Sequence, residues 1–407
     1  MPAGSEKAEV KVLNGNGAAA LGVLMCRPDL IAVYPITPQT SLIEGLCDFK
    51  AAGRLEAEIV TVEGENSAMG AVIGASAAGG RVFTATSSMG LDFMFDTYII
   101  AAGLRLPIVM VNVNRDQQPP SGPVAGEQDI MHVRDAGWIQ IHCEDCQEIL
   151  EAIFVAYRLA EDPAILLPVT VSYDGFYLSY LVEGVNAPPQ EAVDRFLAPV
   201  NEAARPVLCA SGGNLVLGAG AFLPRSWAEY RYKHQAALER VKKKAEDIDR
   251  EFFRVFGRRF GGLIEEYRLR DAEIVLVSLG SHTGTARTVV DLKRRQGIKV
   301  GLIKIRYFRP FPREKLVRAL AGRKAVGVLD RSVCFGWNCG HLFMEVKAAL
   351  SDLPARIPAV DFIGGLGGGD ITPEQIAAAV DLLDRAARGK PAPEVTWLAL
   401  EEQSPPL

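Results

Sequence analysis

Between Val10 and Tyr173 the chain alternates short, β-branched apolar runs with longer stretches of helical spacing. The runs Ile31 to Tyr34, Ile59 to Val62, Val82 to Ala85, Ile108 to Asn112, Trp138 to His142 and Leu166 to Val171 predict buried strands. A strand covered on both faces reads as a continuous apolar segment rather than an alternating one. Strands separated by helices predict βαβ units and a parallel sheet with helices on both faces.

One of those helices is unusual. After Ile59 to Val62 and Gly64, the stretch opening near Asn66 is rich in Gly and Ala (Ala68, Gly70, Ala71, Gly74, Ala75, Ala77, Ala78). Each glycine costs roughly 1 kcal/mol of helix propensity relative to alanine, so another backbone is expected to pack very close. Glu65 sits at this strand-to-helix junction. The next strand ends in Thr86-Ser87-Ser88-Met89-Gly90, at the carboxyl edge where open α/β sheets bind ligands. Glu65 and this turn are therefore expected to face one crevice.

The pattern weakens between Pro188 and Pro224 and resumes as a charged helical stretch, Arg225 to Phe256. Its Lys242-Lys243-Lys244 run reads as a solvated helix face. A second α/β unit follows: strands Ile274 to Leu279, Val300 to Ile305, Ala325 to Leu329 and Val360 to Ile363, with helices Thr283 to Arg295 and Arg313 to Leu320. Thr372-Pro373-Glu374-Gln375 supplies an N-cap, an N1 proline and a capping-box glutamine for a final helix. The expected organisation is a first unit over residues 1–250, ending in the charged helical stretch, a smaller unit over 251–390, and an extended tail over 391–407.

Composition narrows the functional classes. Forty-four Lys and Arg stand against 49 Asp and Glu, a net charge of −5, which gives no electrostatic case for nucleic acid. The start, MPAGSEKAEVKV, lacks a basic-then-apolar leader and no apolar run reaches membrane-spanning length, so a soluble, cytoplasmic protein without membrane contact is expected. Seven cysteines spread over 407 residues read as mostly reduced thiols. Cys143 and Cys146 form a lone C-x-x-C, and Cys334 and Cys339 have the wrong spacing for a zinc ribbon or a ferredoxin run; no metal site is expected in this chain. Gly364 to Asp370 fits a close-packed loop better than a dinucleotide fingerprint.

Two further segments lie at strand ends. Thr37-Pro38 in YPITPQT fits an N-cap followed by an N1 proline, and it equally fits a helix N-terminus offering a hydroxyl to an anionic group. Arg115 either pairs with neighbouring Asp116 or clamps a substrate carboxylate. Glu127-Gln128-Asp129 lies in a Pro/Gly-rich loop that could close over the site.

Together these motifs make the chain resemble a known family, the α subunits of thiamine-diphosphate-dependent 2-oxoacid:ferredoxin oxidoreductases, typified by pyruvate:ferredoxin oxidoreductase. The resemblance rests on YPITPQT, EGENSAMGAVIGASAAGGRVFTATSSMGL, AAGLRLPIVMVNVNR, EQD, RDAGWIQ, YDGFYLS, EYRYKH, VSLGS, DRSVCFGWNCG and GLGGGD, from about Lys11 to about Leu383. It implies a pyrimidine-type thiamine-diphosphate domain followed by a transketolase-C-terminal-like α/β domain.

By the same resemblance, Glu65 is the catalytic glutamate that hydrogen-bonds the cofactor's pyrimidine. Thr37 and Arg115 hold the 2-oxoacid, and Ser87, Ser88, Met89 and Gly90 contact the cofactor. The family's GDG…N magnesium motif and its paired C-x-x-C-x-x-C runs are missing here. Thiamine diphosphate is thus shared with a β subunit that carries Mg2+, and [4Fe-4S] clusters belong to a ferredoxin-like iron–sulfur subunit beside a γ-type subunit. The implied reaction is CoA-dependent oxidative decarboxylation of a 2-oxoacid, pyruvate by default, with electrons going to ferredoxin. Phe93 and Phe95 leave open an aryl-accommodating site, as for phenylglyoxylate with NAD as final acceptor, against a helix-core role. A non-catalytic scaffold subunit is the remaining alternative.

Overall fold

The computed structural model describes residues 9–120, 122–197, 207–208 and 223–398. In chain order the strands are β1 (Glu9–Asn14), β2 (Leu30–Val33), β3 (Glu58–Thr61), β4 (Val82–Thr86), β5 (Ile108–Asn114), β6 (Ile139–His142), β7 (Val169–Asp174) and β8 (Val182–Ala187). They continue as β9 (Ile264–Tyr267), β10 (Ile274–Ser278), β11 (Val300–Ile305), β12 (Tyr307–Arg309), β13 (Ala325–Asp330), β14 (Ala359–Ile363) and β15 (Val395–Trp397). The apolar runs thus form strands within a few residues of the expected limits. Much of the weakly patterned Pro188 to Pro224 stretch, and residues 399–407 of the tail, lie outside the described residues.

Two large sheets result. The first has the order β12-β6-β7-β5-β4-β2-β3 and the second β15-β14-β13-β10-β11-β9; β1 and β8 form a separate antiparallel ribbon. Neighbours are parallel except β12 on β6 and β9 on β11. β4 and β5 are wholly buried, as their uninterrupted apolar runs require. Part of the expected tail is a strand, since Val395–Trp397 pairs with β14.

The first sheet reverses its winding between β2 and β4. β2 leads outward to β3, whereas β4 leads the other way to β5. β2 and β4 pair only at Leu30↔Val82 and Ile31↔Phe83 and then diverge. Their carboxyl ends lie at the reversal of winding, the usual ligand position in such sheets.

The two units share their interior. One apolar cluster joins Tyr98, Met110 and Trp138 of the first sheet's layer to Val277, Ile303, Phe308 and Leu342 of the second. Buried Lys304 on β11 lies 2.9 Å from Glu144 and 2.6 Å from Glu148, and Arg306 also pairs with Glu148. The Lys304 and Arg306 charges hold the Glu148 carboxyl down at about 2 against the opposing effect of burial. The long helix Pro224–Phe256 buries Ala237, Val241, Ala245, Ile248 and Phe252 in the first unit's core. His234 on it approaches Gly137 O at 2.8 Å.

Thr372 caps the helix Pro373–Ala387 and Gln375 completes the capping box, as the sequence predicts. The glycine loop is close-packed: Gly368, at φ +75°, lies where an added Cβ would stand 2.6 Å from Val124 Cβ, and its N–H donates to Ala125 O at 2.7 Å. Among the described residues no helix is long and apolar enough to cross a membrane.

Candidate active site

Glu65 is the first residue of the helix Glu65–Ala77 and is 6% exposed. Burial pushes its carboxyl above the ordinary range, opposed only by its own backbone N–H. The Gly90 backbone lies directly against it. A Cβ added at Gly90 would meet Thr86 Oγ1 at 2.5 Å and Glu65 Cδ at 2.9 Å, and Glu65 Oε1 closer still. Thr86 Oγ1 and Ser87 Oγ are buried, and among the described residues neither has a hydrogen-bond partner. A buried hydroxyl is normally satisfied, so an acid of raised affinity for its proton and the idle Thr86 hydroxyl meet at Gly90. Glu65 and the Thr86–Gly90 turn are thus brought into contact.

The small residues of the Glu65–Ala77 helix are only partly explained. Gly70 and Gly74 meet nothing within 4 Å at the Cβ position, so among the described residues no other backbone packs closely there.

Thr37 does not cap a helix. The helix Thr40–Ala51 has Gln39 in the N-cap position, and Thr37 lies exposed in the preceding loop. Gln39, which sequence reasoning passed over, accepts from Ile36 N at 3.3 Å and donates to Ala85 O at 3.0 Å, bridging the diverging β2 and β4. Arg115 follows β5 and does not pair with Asp116. Its Nη1 donates to Thr37 O at 3.0 Å and its Nε to Gly122 O at 3.0 Å. Among the described residues Nη2 has no acceptor, leaving that edge of the fork for an outside carboxylate. The two substrate-binding candidates are therefore brought together.

Ser88 adopts φ 50°, ψ −127°, a region rare for a residue with a side chain. Its N–H donates to Asp129 Oδ2 at 2.9 Å and its Oγ to Asp116 O at 3.0 Å. Met89 is 46% exposed at the start of the next helix, Met89–Phe93. Phe93 and Phe95 are not helix core: the helix breaks at Met94, and Leu91, Met94 and Tyr98 take the inward positions. Phe93 is 62% exposed, with its ring 2.9 Å from the Cβ position of Gly64, the residue before Glu65.

Glu127-Gln128-Asp129 is buried rather than a mobile flap. Glu127 and Asp129 are fully buried, and Gln128 clasps Val333 of the second unit by both its amide groups. Glu127 stands among Asp174, Arg331 and Asp330 where the carboxyl edges of the two sheets meet. Burial, reinforced by the Asp174 charge and opposed by Arg331, raises its carboxyl well above the ordinary range. Arg331 itself is 2.9 Å from Asp174, which also accepts from Ser281 N at 3.1 Å. Cys143 and Cys146 are packed thiols whose acidity burial suppresses.

Fold and site thus define an α/β enzyme subunit that sets a buried acid, hydroxyls without partners among the described residues and an arginine fork at the carboxyl ends of a sheet. The family described as pyruvate flavodoxin/ferredoxin oxidoreductase, thiamine diphosphate-binding, matches residues 21–250, and the pyruvate:ferredoxin oxidoreductase core domain II matches residues 272–376. The chain is 43% identical over 397 residues to an NADH-dependent phenylglyoxylate dehydrogenase subunit alpha of Aromatoleum evansii, covering 96% of this chain and 95% of that one. It is 44% identical over 395 residues to a pyruvate synthase subunit PorA of Methanothermobacter thermautotrophicus (97% and 99% covered), and 43% identical over 393 to a ketoisovalerate oxidoreductase subunit VorA of Pyrococcus abyssi (96% and 98%). The chain belongs to the α subunits of the 2-oxoacid:ferredoxin oxidoreductases. Among solved structures, a 2-oxoglutarate:ferredoxin oxidoreductase from Magnetococcus marinus shares the fold at TM-score 0.70 and 20% identity, over 92% of this chain and 65% of that longer one. A split-gene transketolase does so at TM-score 0.53 and 16% identity, over 91% and 96%. The first unit is accordingly a thiamine-diphosphate-binding domain and the second a transketolase-C-terminal-like domain.

Proposed function

We propose that this chain supplies the pyrimidine side of a thiamine diphosphate site in a complex that oxidatively decarboxylates a 2-oxoacid to its acyl-CoA. The observation that carries the reading is Glu65, a buried acid held against bare Gly90 beside the Thr86 hydroxyl, which has no partner among the described residues. When bound, thiamine diphosphate supplies a nucleophilic carbon and an electron sink for decarboxylation. Glu65, whose burial favours its protonated form, would share a proton with the pyrimidine nitrogen of the bound cofactor. Arg115 orients the substrate carboxylate through Nη2 while its Nη1 fixes the Thr37 loop against it. Ser87, Ser88, Met89 and Gly90 form the wall on which the cofactor rests.

The overall balance is 2-oxoacid plus CoA giving acyl-CoA, carbon dioxide, a proton and two electrons, the electrons passing to ferredoxin. A β subunit holding the diphosphate with Mg2+, a γ-type subunit and an iron–sulfur subunit with [4Fe-4S] clusters complete the complex. Pyruvate is the favoured substrate. Exposed Phe93, set beside the residue preceding Glu65, and exposed Phe95 two positions on support a second reading, an aromatic 2-oxoacid such as phenylglyoxylate with NAD as final acceptor.

Glu65→Ala in the purified complex should abolish decarboxylation while leaving assembly intact. Undiminished turnover would sink the catalytic role and leave a scaffold subunit. Acyl-CoA formation from pyruvate, 2-oxoisovalerate and phenylglyoxylate, compared by kcat/KM, chooses between the two substrate readings.

A further inference from the structure

The cofactor-facing turn and the substrate-facing arginine leave different strands, yet one buried side chain holds both. Asp129 Oδ2 accepts from Ser88 N at 2.9 Å, from Asn112 Nδ2 at 2.9 Å and from Arg115 N at 3.2 Å, while Oδ1 accepts from Ile130 N at 2.8 Å. The residue is fully buried. Asn112 Nδ2 also reaches Asn114 Oδ1 at 2.9 Å, and Ser172 Oγ donates to that same oxygen at 2.6 Å. A polar chain thus runs across the carboxyl ends of β4, β5 and β7 with Asp129 at its centre.

We propose that Asp129 is a positioning residue for the reaction, setting Ser88 and Arg115 relative to each other through one carboxylate oxygen. The inference rests on the reading of Ser88 and Arg115 given above. Its physical basis is threefold. Oδ2 accepts three donors at once, so a single acceptor atom ties the Ser88 turn to the end of β5. Ser88 sits in a rare backbone region that persists only when its surroundings over-determine it. Removing the acceptor would leave buried N–H groups of both segments without partners, and each would move to find one. A displacement of the order of 1 Å at a reacting group is costly to rate. Asp129 needs no contact with substrate to matter; it acts through the two residues it holds.

The test uses the intact complex and four variants, Asp129→Ala, Arg115→Ala, the double variant and Asn112→Ser. Two quantities are read: KM for the best of pyruvate, 2-oxoisovalerate and phenylglyoxylate, and the dissociation constant of thiamine diphosphate for the cofactor-stripped complex by calorimetry. Asp129→Ala, which removes the shared acceptor, is expected to raise KM about tenfold or more and to weaken cofactor binding several-fold, the order of one buried donor left without its partner. In the Arg115→Ala background the same change should raise KM by less than about threefold, because coupled residues do not act additively. Additive effects, or an unchanged cofactor dissociation constant, overturn the inference. Arg115→Ala leaving KM unchanged would instead refute the site assignment, and Asp129 is then judged on cofactor affinity alone. Should Asp129→Ala not fold, Asn112→Ser, which removes one anchor of the carboxyl group, should raise KM about threefold; unchanged KM and unchanged cofactor affinity there overturn the proposal.

Discussion

Gly90→Ala is the sharpest perturbation of the site. The new methyl would stand 2.9 Å from Glu65 Cδ and 2.5 Å from Thr86 Oγ1. Carbon atoms prefer about 3.5 Å or more, so the Glu65 carboxyl must retreat by roughly 0.6 Å or turn. Gly90 does not occupy a left-handed backbone region, so alanine fits the main chain. A gain of about 1 kcal/mol in helix propensity offsets part of an overpacking cost of about 1–3 kcal/mol, and the folded complex should survive. The acid, however, is displaced from the position where it shares its proton. A misplacement approaching 1 Å costs about 10²-fold in rate, or about 2.7 kcal/mol of barrier. The assay is kcat in the intact complex alongside hydrogen–deuterium exchange at C2 of bound thiamine diphosphate, which reports the same proton relay before substrate enters. Both should fall together by about 10²-fold. Native exchange and native kcat in a correctly assembled Gly90→Ala complex would refute the reasoning that Glu65 acts from this place.

The buried acid Glu127 sets a pH dependence of stability. Its folded pKa is raised above the ordinary 4.5, so its contribution is fully present below that value and is lost as pH rises above it. Glu127→Gln should therefore be indifferent below about pH 4.5 and progressively stabilising towards neutrality in the first thermal transition of the complex; a variant less stable than the parent at pH 7.5 refutes this. Arg331→Met leaves Asp174 as a buried charge without its ion-pair partner, and should destabilise by about 3–5 kcal/mol in denaturant unfolding; a change below 1 kcal/mol would show the pair to be dispensable. Gly368→Ala forces a methyl against Val124 at a left-handed backbone angle and should cost about 1–3 kcal/mol, read as increased proteolysis of the Val124 loop. Equal cleavage rates would refute it.

Strands were legible because burial on both faces leaves continuous apolar runs, and the capped final helix because Thr372, Pro373 and Gln375 act locally. Glu65 and the Thr86–Gly90 turn were legible for a related reason: each stands at a strand's carboxyl end, and sheet topology alone brings such ends together. Of the two readings left open for Thr37, the cap fails: Ser/Thr-Pro is a generic helix opening, and here Gln39 stands in the N-cap position while its amide reaches Ala85 O. Phe93 and Phe95 looked like core until a break at Met94 rotated them outward. Asp129 gave almost no local signal. Its role depends on three donors from two segments, the Ser88 turn and the end of β5, which no window of sequence can display. The same holds for Lys304 and Arg306, whose partner Glu148 is more than 150 residues away.

Strand β12, only Tyr307–Arg309, leaves the second unit to lie on β6 at the edge of the first sheet. Without it, β6 would present a row of unpaired N–H and C=O groups, an invitation to join another chain. A truncation ending after the long helix would therefore not liberate a clean first unit; it would uncap a sheet. The seam between the two halves is woven, so any gene split or fusion that respects this architecture must keep both on one polypeptide or deliver β12 from a tightly held fragment.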